Sequence, residues 1–262
     1  MRHYQWFSKA YMVLVMLYLF IPILLVLVFS FDSANRLSFP PEGLSLRWYA
    51  AYFTDEAWIA STWRSVRVAL LSSIVAGAIG TLTAIVLVRQ QGTVFARAMM
   101  GLSIAPLVVP NIVIALGVFI ASAKLGVYGM ETTLILAHAT LSIPFVVMIV
   151  YGGLMQVDFT LEKAARIMGA GPFSAFRVAV LPTIFPSIAA GTIVACFTSF
   201  DELIIALFIM GDSATLPVRI WSDLRFELNP VVTAISTVLM MLAGLGMWFA
   251  EWLRRRSLVV TT

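Results

Sequence analysis

Residues 11 to 30, YMVLVMLYLFIPILLVLVFS, contain no Asp, Glu, Lys or Arg. About 20 such residues at ~1.5 Å each cross a hydrocarbon core of ~30 Å. Inside that core only a segment that satisfies its own backbone N–H and C=O groups survives, so the run must be helical. Five further apolar stretches follow, at about 65 to 88, 99 to 121, 132 to 153, 184 to 209 and 231 to 250. The whole chain is 61% hydrophobic and 11% charged with a mean hydropathy of +0.98, outside the range of soluble domains. The expectation is an all-α membrane protein with six transmembrane helices. No internal repeat, low-complexity tract or flexible linker divides it, so residues 1 to 262 are read as a single transmembrane domain. Arg2 and Lys9 precede the first run as in a signal peptide, but the run is too long and no A-x-A site follows. It is read as an uncleaved helix with its N-terminus inside.

Charge placement orients the spans. With the N-terminus inside, ten of the 17 Lys and Arg fall on the cytosolic side: Arg2, Lys9, Arg89, Arg97, Lys163, Arg166, Arg177, Arg254, Arg255 and Arg256. The outside holds the remaining seven: Arg36, Arg47, Arg64, Arg67, Lys124, Arg219 and Arg225. Basic residues favour the cytoplasm, and six spans return the C-terminus there. A net charge of +4 therefore does not point to nucleic acid. Between the first two spans, Trp48, Tyr49, Tyr52, Phe53, Trp58 and Trp63 suit an aromatic belt at the water–lipid boundary, with a short amphipathic helix on the outer surface. Arg64 and Arg67 are placed to snorkel to headgroups. Gly77 and Gly80 allow close helix approach, and Pro106 and Pro110 predict a kink in the third span, a candidate for lining a pathway. His138 serves either a packing hydrogen bond or function. Cys196, the single cysteine, excludes an intrachain disulfide and suits core packing.

The longest polar interruption among the later spans is D-F-T-L-E-K-A-A-R-I-M-G-A-G-P, Asp158 to Pro172, within a loop of about 156 to 182. Its grammar is helix, break, helix. Asp158 or Thr160 can cap the first helix, Glu162 falls in its first turn where the dipole favours negative charge, and Gly169 is a natural stop. Pro172 suits the first position of a second helix, and Pro182 is expected to limit it. Ala164, Ala165, Gly169 and Ala170 present almost no side chain, and positions 165 and 169 share a face, so another protein surface can approach the backbone closely.

Glu162, Lys163, Ala164, Ala165, Gly169 and the downstream Leu181-Pro182 resemble the EAA loop of bacterial ABC-importer permeases. Counted back from Gly169, Lys163 occupies the position usually held by the Glu of that loop, with Glu162 one residue earlier. The resemblance implies the type I ABC-importer permease fold, a loop that docks on a cytosolic ATPase, and the bacterial inner membrane with both termini cytosolic. It also implies partners: a second permease subunit, two ATP-binding subunits that carry the ATP and magnesium, and an extracytoplasmic substrate-binding protein.

Ser199 to Phe208, S-F-D-E-L-I-I-A-L-F, places two adjacent acids, Asp201 and Glu202, in an otherwise apolar run. An acid at mid-span costs about 3 kcal/mol on insertion scales. Counted from Thr183 along one helix, Asp201 lies about 27 Å up the axis, in the outer half of the membrane. Adjacent helical residues diverge by about 100°, so one carboxylate can face a pathway while a partner such as Arg219 or a backbone donor holds the other. The alternative is that both satisfy a helix end or an interhelical ion pair. With Phe197, Phe200 and Trp221 they would suit an organic ammonium through cation–π contacts. Thr215 to Trp221, T-L-P-V-R-I-W, together with the outer L-R-W-Y motif, is similar to the spermidine/putrescine branch of the permease family. That similarity implies a polyamine substrate; ferric ion, sulfate or an amino-acid-like solute, and an ATP-independent channel or carrier, are the alternatives.

Enzyme chemistry has no residues to rest on. No G-x-x-x-x-G-K-[ST] loop is present, so the chain is not the ATPase. Neither an H-E-x-x-H pair nor a G-x-S-x-G elbow occurs, and no cofactor or metal is expected in the chain itself.

Overall fold

A computed structural model describes residues 2–35, 39–211, 213–226 and 229–259. Arg36 lies outside them, as do the side chains of Arg2, Arg254, Arg255 and Arg256. The described residues are almost entirely helical: α1 (Arg2–Ser30), α2 (Arg47–Thr54), α3 (Glu56–Arg89), α4 (Val94–Val108), α5 (Asn111–Leu125), α6 (Glu131–Leu154), α7 (Thr160–Ile167), α8 (Pro172–Ala175), a π-turn (Phe176–Val180), α9 (Leu181–Phe200), α10 (Ile204–Ile209), α11 (Leu216–Phe226) and α12 (Val231–Val259). Four stretches are long and apolar enough to cross a bilayer: Tyr11–Ser30, Glu56–Arg89, Glu131–Leu154 and Pro172–Phe200. The pair α4 and α5, bent by 100°, reaches that length only when its two helices are taken together, and Val231–Leu245 is a shorter apolar stretch of α12.

The chain divides into two compact units, 60–219 and the two ends 1–59 with 220–262. In the unit formed by the ends, α12 packs along α1 and against α2. The loop between α1 and α2 is folded around Asp32, whose buried Oδ1 accepts the N–H groups of Ala34 and Glu42 at 3.0 and 3.1 Å. Trp48 donates its indole N–H to the Asp32 carbonyl, and the Ser30 and Tyr49 hydroxyls bond at 2.7 Å. The expected surface helix is α2, but the aromatic belt is only partial. Tyr52 and Trp58 are buried against each other, while Phe53 and Trp63 stay exposed.

In the unit 60–219, α6 and α9 form the central pair, and small residues set how closely α3 joins them. A Cβ on Gly80 would lie 2.7 Å from the Val146 Cβ, and one on Gly191 would lie 3.2 Å from the Val146 Cα. Gly77 likewise faces Thr192 of α9. One buried apolar cluster joins Ala76, Ala84, Ala139, Val146, Ile184 and Ala195; a second joins Val68, Leu134, Leu141, Ile205 and Ile209.

Two expectations need correction here. The third apolar stretch is broken by 100° between α4 and α5, where a kink was expected. Pro110 offers no N–H to continue α4 and drives Val109 to extended backbone at φ −81°, ψ 130°, so the ladder stops. Pro182 does not limit the loop's second helix. The turn before it widens into the π-turn Phe176–Val180, which accommodates a residue that cannot donate, and α8 to α9 forms one span, Pro172–Phe200. Arg64 and Arg67 also have partners within the protein: Arg64 donates to the Ala214 carbonyl at 2.9 Å, and Arg67 forms a two-pronged pair with Glu131 at 2.6 and 2.7 Å.

Candidate functional site

The loop after α6 is ordered by its own hydrogen bonds. Phe159 occupies the N-cap position of α7 rather than Asp158 or Thr160. Asp158 still acts there, accepting the Thr160 N–H at 2.9 Å; the Thr160 hydroxyl first, and this N–H second, hold its carboxyl below the usual carboxylate range. At the far end the Gly169 N–H bonds to the Arg166 carbonyl at 3.1 Å and the Ala170 N–H to the Ala165 carbonyl at 3.0 Å. These are the two bonds of a Schellman motif. Its left-handed position falls on Gly169 with φ +94°, where a side chain is strained, although a Cβ at this position would have open space for 4 Å around it. Pro172 begins α8, as expected.

The resulting surface has two faces. Lys163, Ala164 and Gly169 are exposed, Ala165 and Ala170 half-buried, and Leu161, Ile167, Met168 and Phe173 stand out around them. Glu162 points the other way. It is 5% exposed and pairs with Arg89 at the end of α3, 2.8 Å away. Sequence reasoning placed Glu162 at a helix dipole and Arg89 only at the end of a span. Nothing in their separation along the chain announced the pair.

The two acids sit in a break, not inside a continuous helix. α9 stops at Phe200 and α10 starts at Ile204. Such a break leaves N–H groups without partners, costly in a membrane interior. Glu202 supplies the acceptors: Oε1 takes the Ile204 N–H at 3.2 Å and Oε2 the Ile205 N–H at 2.8 Å. Its buried carboxylate is thus held by backbone donors, one of the two holders expected from the sequence. Asp201, the C-cap of α9, is exposed. Phe197 is exposed and Phe200 half-buried beside it in sequence, whereas Trp221 belongs to the other unit.

Behind Glu202 runs a buried line of polar groups from three helices. Ser72 of α3 donates to Ser199 Oγ of α9 at 2.8 Å, and Ser199 Oγ lies 2.8 Å from His138 Nδ1 of α6. His138 Nε2 faces Glu202 Oε2 at 3.7 Å. The direction of the chain follows from charge. If Ser199 donates to Nδ1, the imidazole proton sits on Nε2 and points at the carboxylate; the reverse tautomer would turn a lone pair on it. His138 thus makes a hydrogen bond that ties α6 to α9. Ser72 and Ser199 were missed from sequence, because isolated serines in apolar runs carry no spacing signal. Among the described residues no group of three or more His, Cys, Asp or Glu could hold a metal.

Comparison with known proteins fits this geometry. Residues 74–259 match the family model of the "Binding-protein-dependent transport system inner membrane component". The spermidine/putrescine transport system permease protein PotC of Escherichia coli (strain K12) is 30% identical over 237 residues, covering 89% of this chain and 88% of the relative. The putrescine transport system permease protein PotI of the same organism is 31% identical over 247 residues, covering 92% and 88%. A solved bacterial alginate ABC transporter, in complex with an alginate pentasaccharide-bound periplasmic protein, shares the fold with a TM-score of 0.76 at 13% identity, covering 97% of this chain and 95% of that one. With the matching family spanning well over half its length, this chain belongs to the inner-membrane permease components of binding-protein-dependent ABC transport systems.

Proposed function

We propose that this chain is the polyamine-conducting permease subunit of an ATP-driven importer, lying in the bacterial inner membrane with its N- and C-termini in the cytosol. The observation that carries the polyamine reading is the pair of relatives at about 30% identity named for spermidine and putrescine transport, together with an exposed acid at a helix break. In this reading the outer face of α7 and of the turn that ends it, with Lys163, Ala164, Ala165, Gly169 and Ala170, docks on a cytosolic ATP-binding subunit. ATP and magnesium belong to that partner. A second permease subunit, distinct from this chain, completes the pathway, and an extracytoplasmic binding protein delivers the substrate.

The roles of the two acids divide. Asp201 is the cation contact, with Phe197 and Phe200 supplying aromatic faces for the methylene-flanked ammonium groups. Glu202 lines the same stretch but spends its carboxylate on the helix break, holding the backbone that presents Asp201. Motion of the ATPase pair reaches this region through α8 and the π-turn, which run without a break into α9.

The test is uptake of labelled spermidine and putrescine by cells lacking other polyamine importers, with and without the gene. Uptake that requires both the gene and ATP supports the reading. Equal uptake in both strains, with the complex verifiably assembled, removes the polyamine substrate and leaves the family membership intact.

A further inference from the structure

Glu162 is 5% exposed, so its carboxylate is closed to any protein that docks on the loop from outside. A buried carboxylate needs a partner, and removing that partner is costly. The partner is Arg89, 2.8 Å away on the last turn of α3, whose guanidinium also lies 5.8 Å from the centre of the Phe176 ring in the π-turn. One arginine therefore meets both halves of the loop. The helix that carries it runs unbroken to the opposite end of the unit, about 38 Å away at ~1.5 Å per residue from Arg64 to Arg89. There it is fastened a second time: Arg64 to the Ala214 carbonyl, Ser65 Oγ to the Leu216 N–H at 2.8 Å, and Arg67 to Glu131.

We infer that Arg89 and Glu162 are positioning residues for coupling: their ion pair fixes the docking loop to α3, which carries loop displacement to the segment between α10 and α11. This rests on the reading of the loop as the ATPase-docking element. Lys163, exposed and one residue on, faces the partner; Glu162 works within its own chain.

Charge exchange separates the two roles. Permease complexes carrying E162R, R89E or both changes would be reconstituted in vesicles with the ATPase subunits and the binding protein. Co-purification of the ATPase reports docking; ATP hydrolysis with and without substrate-loaded binding protein reports coupling. Each single variant is expected to keep its ATPase subunits while losing stimulation by about tenfold, within the 5–150-fold range of coupling between sites. The double exchange is expected to recover most of it. A double variant that assembles yet stays as defective as the singles overturns the inference. Single variants that lose the ATPase itself would place Glu162 at the docking surface and also overturn it. Should the exchanges prevent insertion, Glu162→Gln and Arg89→Gln, each keeping a hydrogen-bonding head, replace them with the same expected loss of stimulation; unchanged stimulation in both overturns the inference. A wild-type complex that forms without any ATPase on the loop would instead defeat the docking reading beneath it.

Discussion

Replacing Gly169 separates the cost of bending the backbone from the cost of obstructing a partner. Its φ of +94° lies in the left-handed region, where any side chain adds strain, yet a Cβ there meets no atom of its own chain within 4 Å. Gly169→Ala therefore costs only the backbone term, about 1–2 kcal/mol. At 1.4 kcal/mol per factor of ten, that lowers the population of the correctly folded loop, and uptake with it, by about tenfold when the loop is marginally stable and less when it is not. Asn and Asp tolerate the left-handed region better than Ala because their side chains bond locally. On strain alone, Gly169→Asn and Gly169→Asp should transport better than Gly169→Ala. A docking surface at Gly169 predicts the reverse order: Ala best, Asn worse, Asp abolished with membrane insertion intact. Uptake of labelled substrate, normalised to the amount of inserted permease, gives the order directly. Asn and Asp variants that match or exceed Ala would refute the docking assignment of this face.

Three further outcomes follow from the geometry. Asp201→Asn should raise the KM for a cationic substrate at unchanged protein yield; a parallel fall in yield would return Asp201 to a structural role. Ser199→Ala strands the buried His138 ring nitrogen, while the Ser72 hydroxyl keeps the Ala69 carbonyl; the loss of about 1–3 kcal/mol should lower the thermal midpoint of the purified permease, whereas Thr198→Ala next to it should not. Gly191→Ala forces α6 and α9 apart at Val146, with a penalty of about 1–3 kcal/mol read from the same melting assay; an unchanged midpoint would show that the pair has slack.

The elements that could be read from sequence are those with a local cause. Gly169 stops α7 and Pro172 starts α8 because glycine and proline act on their own backbone. Gly77 and Gly80 mark close helix approach for the same reason: lack of a side chain is visible in one position. What escaped detection depends on pairs distant in sequence. Arg89 with Glu162, Arg67 with Glu131, and Ser72 with Ser199 and His138 are each joined only when helices pack. The break after Phe200 was missed because the run from Ser199 to Phe208 is apolar enough to continue a helix, and the residue that sustains the break, Glu202, reads equally well as a pathway acid. At Pro182 the local rule failed because one wider turn absorbed what proline forbids.

That wider turn also sets an angular reference. A π-turn holds one residue more than the α-helical path it replaces, and each residue on a helix turns the chain by about 100°. The wide turn from Phe176 to Val180 absorbs that residue, so the azimuth at which α8 leaves the start of α9, and hence the direction in which Gly169 and its neighbours look, is kept. A single deletion there would let the segment relax to the ordinary helix it replaces with the loop's azimuth nearly kept, whereas removing one residue from the regular turns of α9 would swing the loop about a quarter-turn around the axis. The wide turn tolerates a change of one residue in length that the regular turns beside it do not.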